Sequence, residues 1–294
     1  MTRRILVALD GTAASEAALH EVERIALGGA GIHLLRVVPM FPFRMDATSP
    51  GVMAAHDQAM SYLGELRGRL PDVRGLDLIR TGDPADAILQ AAMEFDVDLI
   101  AMGTPAKSDP DHGLLGSATP TVVQRARCPV LLRRPGSLAA QRTLRRILVP
   151  LDGFPESLKI LPTVQALALR TGAEVVFLHV SEHALAPLLP DGAAAEPRVS
   201  EDPKEKFQSL ARSLGNSDLV FRQTVGEGDA VEEILDHAKT LDADLIAMTT
   251  EAGPESEKTI VGSAALRVAA LAEGAVLLQK PGLQALLPKA WKFS

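Results

Sequence analysis

Cysteine is almost missing from this sequence. Cys128 is the only one in 294 residues, so no intramolecular disulfide can form and a four-cysteine metal site is excluded. That usage fits a reducing cytoplasm. Long apolar runs are missing as well: no stretch approaches the roughly 18 consecutive apolar residues of a membrane helix. The basic opening Met1-Thr2-Arg3-Arg4 leads into an apolar run, Ile5 to Leu9, which stops at Asp10 and is too short for the apolar region of a signal peptide. Positive charge is in deficit, with 30 Lys and Arg against 37 Asp and Glu, a net charge of -7 and a pI near 5.5. Nucleic acid and anionic membrane are gripped by clustered cations, so neither is an expected partner, and a small ligand or a protein is.

Several chemical signatures are also absent. There is no Gly-x4-Gly-Lys-Ser/Thr phosphate loop, no Gly-x-Gly-x-x-Gly after the first apolar run, and no Gly-x-Ser-x-Gly nucleophile elbow. The seven histidines show no metal-ligand spacing on a helix; His179 and His183 are four apart but straddle a strand end and a loop. No metal site and no catalytic residue is expected.

What is present is a duplication. A chain of 294 residues implies two domains at about 150 residues each, and its 47% hydrophobic and 23% charged composition is that of an ordered globular protein. Arg4-Ile5-Leu6-Val7-Ala8-Leu9-Asp10-Gly11 recurs as Arg146-Ile147-Leu148-Val149-Pro150-Leu151-Asp152-Gly153, an offset of 142. Asp98-Leu99-Ile100-Ala101-Met102 recurs as Asp244-Leu245-Ile246-Ala247-Met248, and Gly116-Ser117 as Gly262-Ser263, both at 146. The drift of four residues is assigned to the Ala- and Pro-rich stretch from Ser181 to Pro203.

Within each copy, short β-branched runs alternate with helical spacing. In the first these are strands at 5–9, 32–38, 76–81, 99–102 and 130–132, with helices near 13–27, 53–70, 84–95 and 118–126. Thr12 is a candidate cap for the first helix, and Pro84 suits the first turn of the third. Such alternation predicts an α/β fold: two tandem doubly wound domains, each with a five-stranded parallel sheet of Rossmann-like order 3-2-1-4-5. The domains are placed at residues 1–135 and 143–281, with a linker spanning 133–145 and a tail at 282–294 whose Trp291 and Phe293 could cover an apolar patch.

In a parallel sheet of this kind, ligands bind beyond the carboxyl ends of the strands where the strand order reverses. There stand Asp10-Gly11 after the first strand and Gly103 after the fourth. From Gly103 a loop leads to Gly116-Ser117-Ala118-Thr119 and into a helix, whose amides suit a phosphate. Asp10 could instead cap the first helix, and Gly116-Ser117 could be an ordinary helix start. Cys128 reads as core. Met40, Met45, Met53 and Met60 read as core or interface filling, and His112 as a possible phosphate contact.

The segment Gly103-Thr104-Pro105-Ala106, nine residues from Lys107 to Leu115, Gly116-Ser117 and then Cys128-Pro129-Val130 resembles the universal stress protein family. One substitution stands out: Ala106 occupies a position that is glycine in the family's ATP-binding members. The resemblance implies a cytoplasmic stress-response sensor or regulator that binds ATP, with or without magnesium. It implies that Ala8, Asp10 and Val38 face the adenosine, and that Gly103, Ala106, Gly116, Ser117, Ala118 and Thr119 surround ribose and phosphates. A weaker second site would comprise Pro150, Asp152, Val180, Gly262 and Ser263. There Thr249 and Ala252 replace the two loop glycines, and a threonine would disrupt the loop if that position needs φ > 0. The family associates through final strands, so Val130-Leu131-Leu132 is expected to pair with Val276-Leu277-Leu278 within the chain; a homodimer is a further option. Two rival readings are a nucleotide-free interaction scaffold and a slow ATP hydrolase.

Overall fold

Apolar residues at successive positions of a strand bury both of its faces, and this organises the whole molecule. The structure is a computed structural model, and it describes residues 4–26, 30–38, 50–70, 73–105, 115–136, 143–152, 156–181, 221–250 and 264–283. The first half runs β1 (Arg4–Leu9), α1 (Ala13–Ala26), β2 (Gly31–Val38), α2 (Pro50–Gly68), β3 (Asp77–Thr81), α3 (Pro84–Glu94), β4 (Leu99–Gly103), α4 (Thr119–Arg125) and β5 (Val130–Arg133). The second runs β6 (Arg146–Pro150), a 3-10 turn (Ser157–Ile160) leading into α5 (Leu161–Thr171), β7 (Glu174–Ser181), β8 (Phe221–Glu227), α6 (Ala230–Thr240), β9 (Leu245–Thr249), α7 (Ala264–Leu271) and β10 (Ala275–Gln279).

All ten strands join one sheet, ordered β3-β2-β1-β4-β5-β10-β9-β6-β7-β8. Each half has the order 3-2-1-4-5, and every neighbouring pair is parallel except one. The exception joins the halves: β5 and β10 are antiparallel, with Leu132 opposite Val276, Leu131 opposite Leu277 and Val130 opposite Leu278. Two strand edges that would otherwise be exposed thereby cover each other. Alternation along β1 divides the core. Ile5, Val7 and Leu9 pack with Val22 of α1, Leu63 of α2 and Val164 of α5, whereas Leu6 packs on the other face with Ile88 of α3, Val122 of α4 and Val268 of α7. Cys128 lies in that second layer; Met53 and Met60 are about half exposed on α2 and belong to neither.

Strand register corrects the placement of the insertion. Ile5 pairs with Ile32, and its repeat Ile147 pairs with Val175, so an offset of 142 has already become 143 at the second strand. Val38 pairs with Thr81 and Ser181 with Glu227, which carries 143 to 146. One extra residue therefore precedes β7 and three fall between β7 and β8. The same register makes Ser181, and not Val180, the counterpart of Val38.

The linker reading is also corrected at its start. Arg133 ends β5, and Arg134 is a buried residue with 6% exposure. The guanidinium of Arg134 donates to the carbonyls of Ala270 and Ala272 at the C-terminus of α7, where orphan carbonyls favour a cation. The repeat-related Lys280 donates to the carbonyl of Gln124 at the end of α4, 3.0 Å away. Each half thus places its own final basic residue on the last helix of the other. Nearby, Arg24 of α1 pairs with Asp244 at 3.0 Å and with Glu21 at 2.6 Å, all three side chains being less than a tenth exposed.

Candidate functional site

The carboxyl ends of β1 and β4 adjoin, since Ala8 pairs with Met102 one residue before Gly103. Asp10 follows β1 in an exposed position, and its Oδ1 accepts from the Thr12 amide at 2.9 Å and from the Thr12 hydroxyl at 2.6 Å. The Asp10 amide donates to Ser15 Oγ. Thr12, not Asp10, caps α1: its Oγ1 accepts from the Ser15 amide and its carbonyl from the Glu16 amide. Burial raises the Asp10 pKa, but the hydrogen bonds from Thr12 and Ser15 and the charge of Arg36 outweigh it, so the carboxyl sits below its ordinary value.

Arg36 and Tyr62 escaped the sequence reading. The Arg36 guanidinium donates to the Leu9 carbonyl at 3.4 Å, lies 5.7 Å from the centre of the Tyr62 ring, and lines the space beside Gly11. Tyr62 in turn donates to Glu16 Oε1. No periodic pattern marks Arg36; a single basic residue in a buried strand was the available signal.

Gly103 is required by space. A Cβ there would stand 2.2 Å from the backbone carbonyl of Ala14, so the first turn of α1 rests directly on this glycine. Its φ is not positive, which corrects the expected reason why threonine is disfavoured. Beyond it, the Thr104 amide donates to the Arg133 carbonyl at 2.8 Å, and the Pro105 carbonyl accepts from Arg134 Nε at 3.1 Å. At the far end of the loop Gly116 has φ +76, and its open side faces the Pro105 ring. Both ends of the loop therefore converge at Pro105.

Ser117 is exposed, Ala118 precedes α4 without a side-chain cap, and Thr119 is buried as the first residue of that helix. Ala8 is partly buried, and the carbonyl of Val38 accepts from the Gly82 amide. Ala106 and His112 lie outside the described residues, as do Met40, Met45, His183, Ala252, Gly262, Ser263, Trp291 and Phe293.

In the second half Pro150 ends β6 opposite Leu178, Asp152 is exposed, and Val180 is partly buried. Thr249 stands where β4 has Gly103, and the first turn of the α1 counterpart, which follows β6, is a 3-10 turn, not α-helix. The Thr250 amide keeps the bond seen at Thr104, donating to the Gln279 carbonyl. Thr249 is not among the positive-φ residues; Asp96 and Asp242 are the two described that carry a side chain there. Among the described residues no group of three His, Cys, Asp or Glu could hold a metal, and no helix is long and apolar enough to cross a membrane.

The model of the universal stress protein family matches residues 1–134 and again 143–280. A universal stress protein of Thermus aquaticus is 35% identical over 144 residues, which cover 46% of this chain and 100% of that protein. A Na(+)/H(+) antiporter of Synechocystis is 31% identical over 168 residues, covering 55% of this chain but spanning only 24% of the antiporter's length. In fold, the chain is similar to a universal stress protein from Archaeoglobus fulgidus, with a TM-score of 0.75 over 95% of this chain and 98% of that one, at 19% identity.

Proposed function

Because the chain belongs to the universal stress protein family as two fused copies, we propose that it is a stress-response sensor whose N-terminal half binds an adenine nucleotide. ATP, with or without magnesium, is the ligand, and the cytoplasm is the place of action. The observation that carries this reading is the contrast at the ends of β4 and β9. Gly103 lets α1 close against the strand where the carboxyl ends of β1 and β4 adjoin, beside Asp10 and Gly11, whereas the repeat-related position carries the side chain of Thr249.

The residues present fit such a ligand. Asp10, held ionised, has a second oxygen for a ribose hydroxyl or an adenine amine, with Ala8 and Val38 beside it. The amides that follow Gly116 suit phosphate oxygens, with the Ser117 hydroxyl exposed among them and Thr119 starting α4. The second half retains Pro150 and Asp152 but stays unloaded. Among the described residues, Asp10 is engaged with Thr12 and Ser15 and no group is identified as a base, and binding is proposed without turnover. Titration calorimetry of the purified chain with ATP should give about one equivalent, abolished in Gly116→Val, where a β-branched side chain at positive φ disturbs the loop. A nucleotide-free scaffold is the second reading, favoured by Thr249; absence of heat with ATP would establish it over the first.

A further inference from the structure

We infer that Arg134 is a positioning residue through which the second half of the chain sets the position of Pro105, and so the ligand affinity of the first half. The inference rests on the nucleotide reading above. One buried guanidinium meets three carbonyls: Pro105 through Nε at 3.1 Å, Ala272 through Nη1 at 3.3 Å, and Ala270 through Nη2. Pro105 stands two residues past Gly103 and against Gly116; Ala270 lies in the last turn of α7 in the other half and Ala272 directly after its end. The residue is 6% exposed and its contacts to Ala270 and Ala272 are buried, so carbonyls orphaned there would carry their desolvation cost.

The planar fork of arginine fixes the angles among its donors, so a shift of α7 is passed to Pro105 and the reverse. The backbone beside it cannot absorb that shift freely, because the Thr104 amide is tied to the Arg133 carbonyl. The arrangement is one-sided. Its repeat-related residue, Lys280, offers a single ammonium, and its described contact is the Gln124 carbonyl on α4. Coupling between two sites is reciprocal in free energy, so whatever the ligand does to the loop must register at α7.

Hydrogen exchange on the full chain tests this. In the wild type, saturating ATP should slow exchange at residues 103–116 and also at 268–274. In Arg134→Met, ATP at saturation should still slow 103–116 but leave 268–274 unchanged, with the dissociation constant raised about five-fold or more. Arg134→Lys, which keeps the charge but loses the fork, should recover part of both effects and serves if the methionine variant does not fold. ATP protection confined to 103–116 in the wild type, or wild-type affinity in the methionine variant, would overturn the inference. If the wild type takes up no ATP, the nucleotide reading fails on its own. The link is then judged without ligand: either variant should speed exchange at 103–116 together with 268–274, and faster exchange at 268–274 alone would overturn it.

Discussion

The two halves share a backbone plan but solve the same contacts with different chemistry. Where α1 meets β5, Glu21 faces Arg133 at 3.7 Å in a buried charged cluster; at the repeat-related positions, Thr163 donates to Gln279 at 2.6 Å in a neutral one. Where the first helix meets the fourth strand, Gly103 admits an α-helical turn and Thr249 accompanies a 3-10 turn. Duplicated architecture therefore constrains which positions touch, while leaving open how each contact is satisfied. It also separates parts of the protein that serve the common fold from parts that serve one half.

Charge should weigh most. Glu21→Ala leaves the guanidiniums of Arg24 and Arg133 short of a buried partner and should cost about 3–5 kcal/mol. Thr163→Val, which removes one neutral hydrogen bond, should cost about 1–2 kcal/mol in the same denaturant titration; equal losses would break the comparison. Next comes space: Gly103→Val should cost about 3 kcal/mol, because backbone of α1 blocks the new side chain. Thr249→Gly should stay within about 1 kcal/mol, and a benign Gly103→Val would remove the steric account.

Helix caps give a smaller contrast. Asp229 accepts from two amides, of Val231 and Glu232, whereas Asp83 accepts from that of Asp86 alone. Replacing either by alanine should cost about 1 kcal/mol, with Asp229→Ala the larger. The smallest effect concerns Asp10. Its pKa is lower in the folded chain than the ordinary 3.8, so its ionised form contributes stability above that value, and the contribution is lost as pH falls through the folded pKa. Melting curves of Asp10→Asn should therefore lie below wild type at neutral pH and converge with it in acid. A gap that persists unchanged to low pH would contradict the hydrogen-bond account.

Much of this plan was legible because strands buried on both faces leave a dense apolar signal. The repeats at Ile5 and Ile147 and at Leu99 and Leu245 located four central strands, while the pairing of Val130-Leu131-Leu132 with Val276-Leu277-Leu278 that joins the halves was expected from the family resemblance and not from the runs themselves. What escaped was set by register and by space. Val180 and Ser181 differ by one residue in alignment, and only hydrogen-bonded pairing chooses between them. Arg134 was hidden by its neighbours, since Pro135 and Gly136 give the segment a linker's composition. Thr249 was singled out, but the reason lay in the distance from Gly103 to Ala14 and not in a dihedral angle. Arg36 had no pattern around it at all.

Joining β5 to β10 within one polypeptide has a last consequence. A pair of identical chains meeting at such an edge comes apart on dilution and suffers every substitution twice, once in each copy. Here the association is unimolecular, insensitive to expression level, and each copy can drift without dragging the other along. One lobe can thus carry threonine at a position where the other carries glycine.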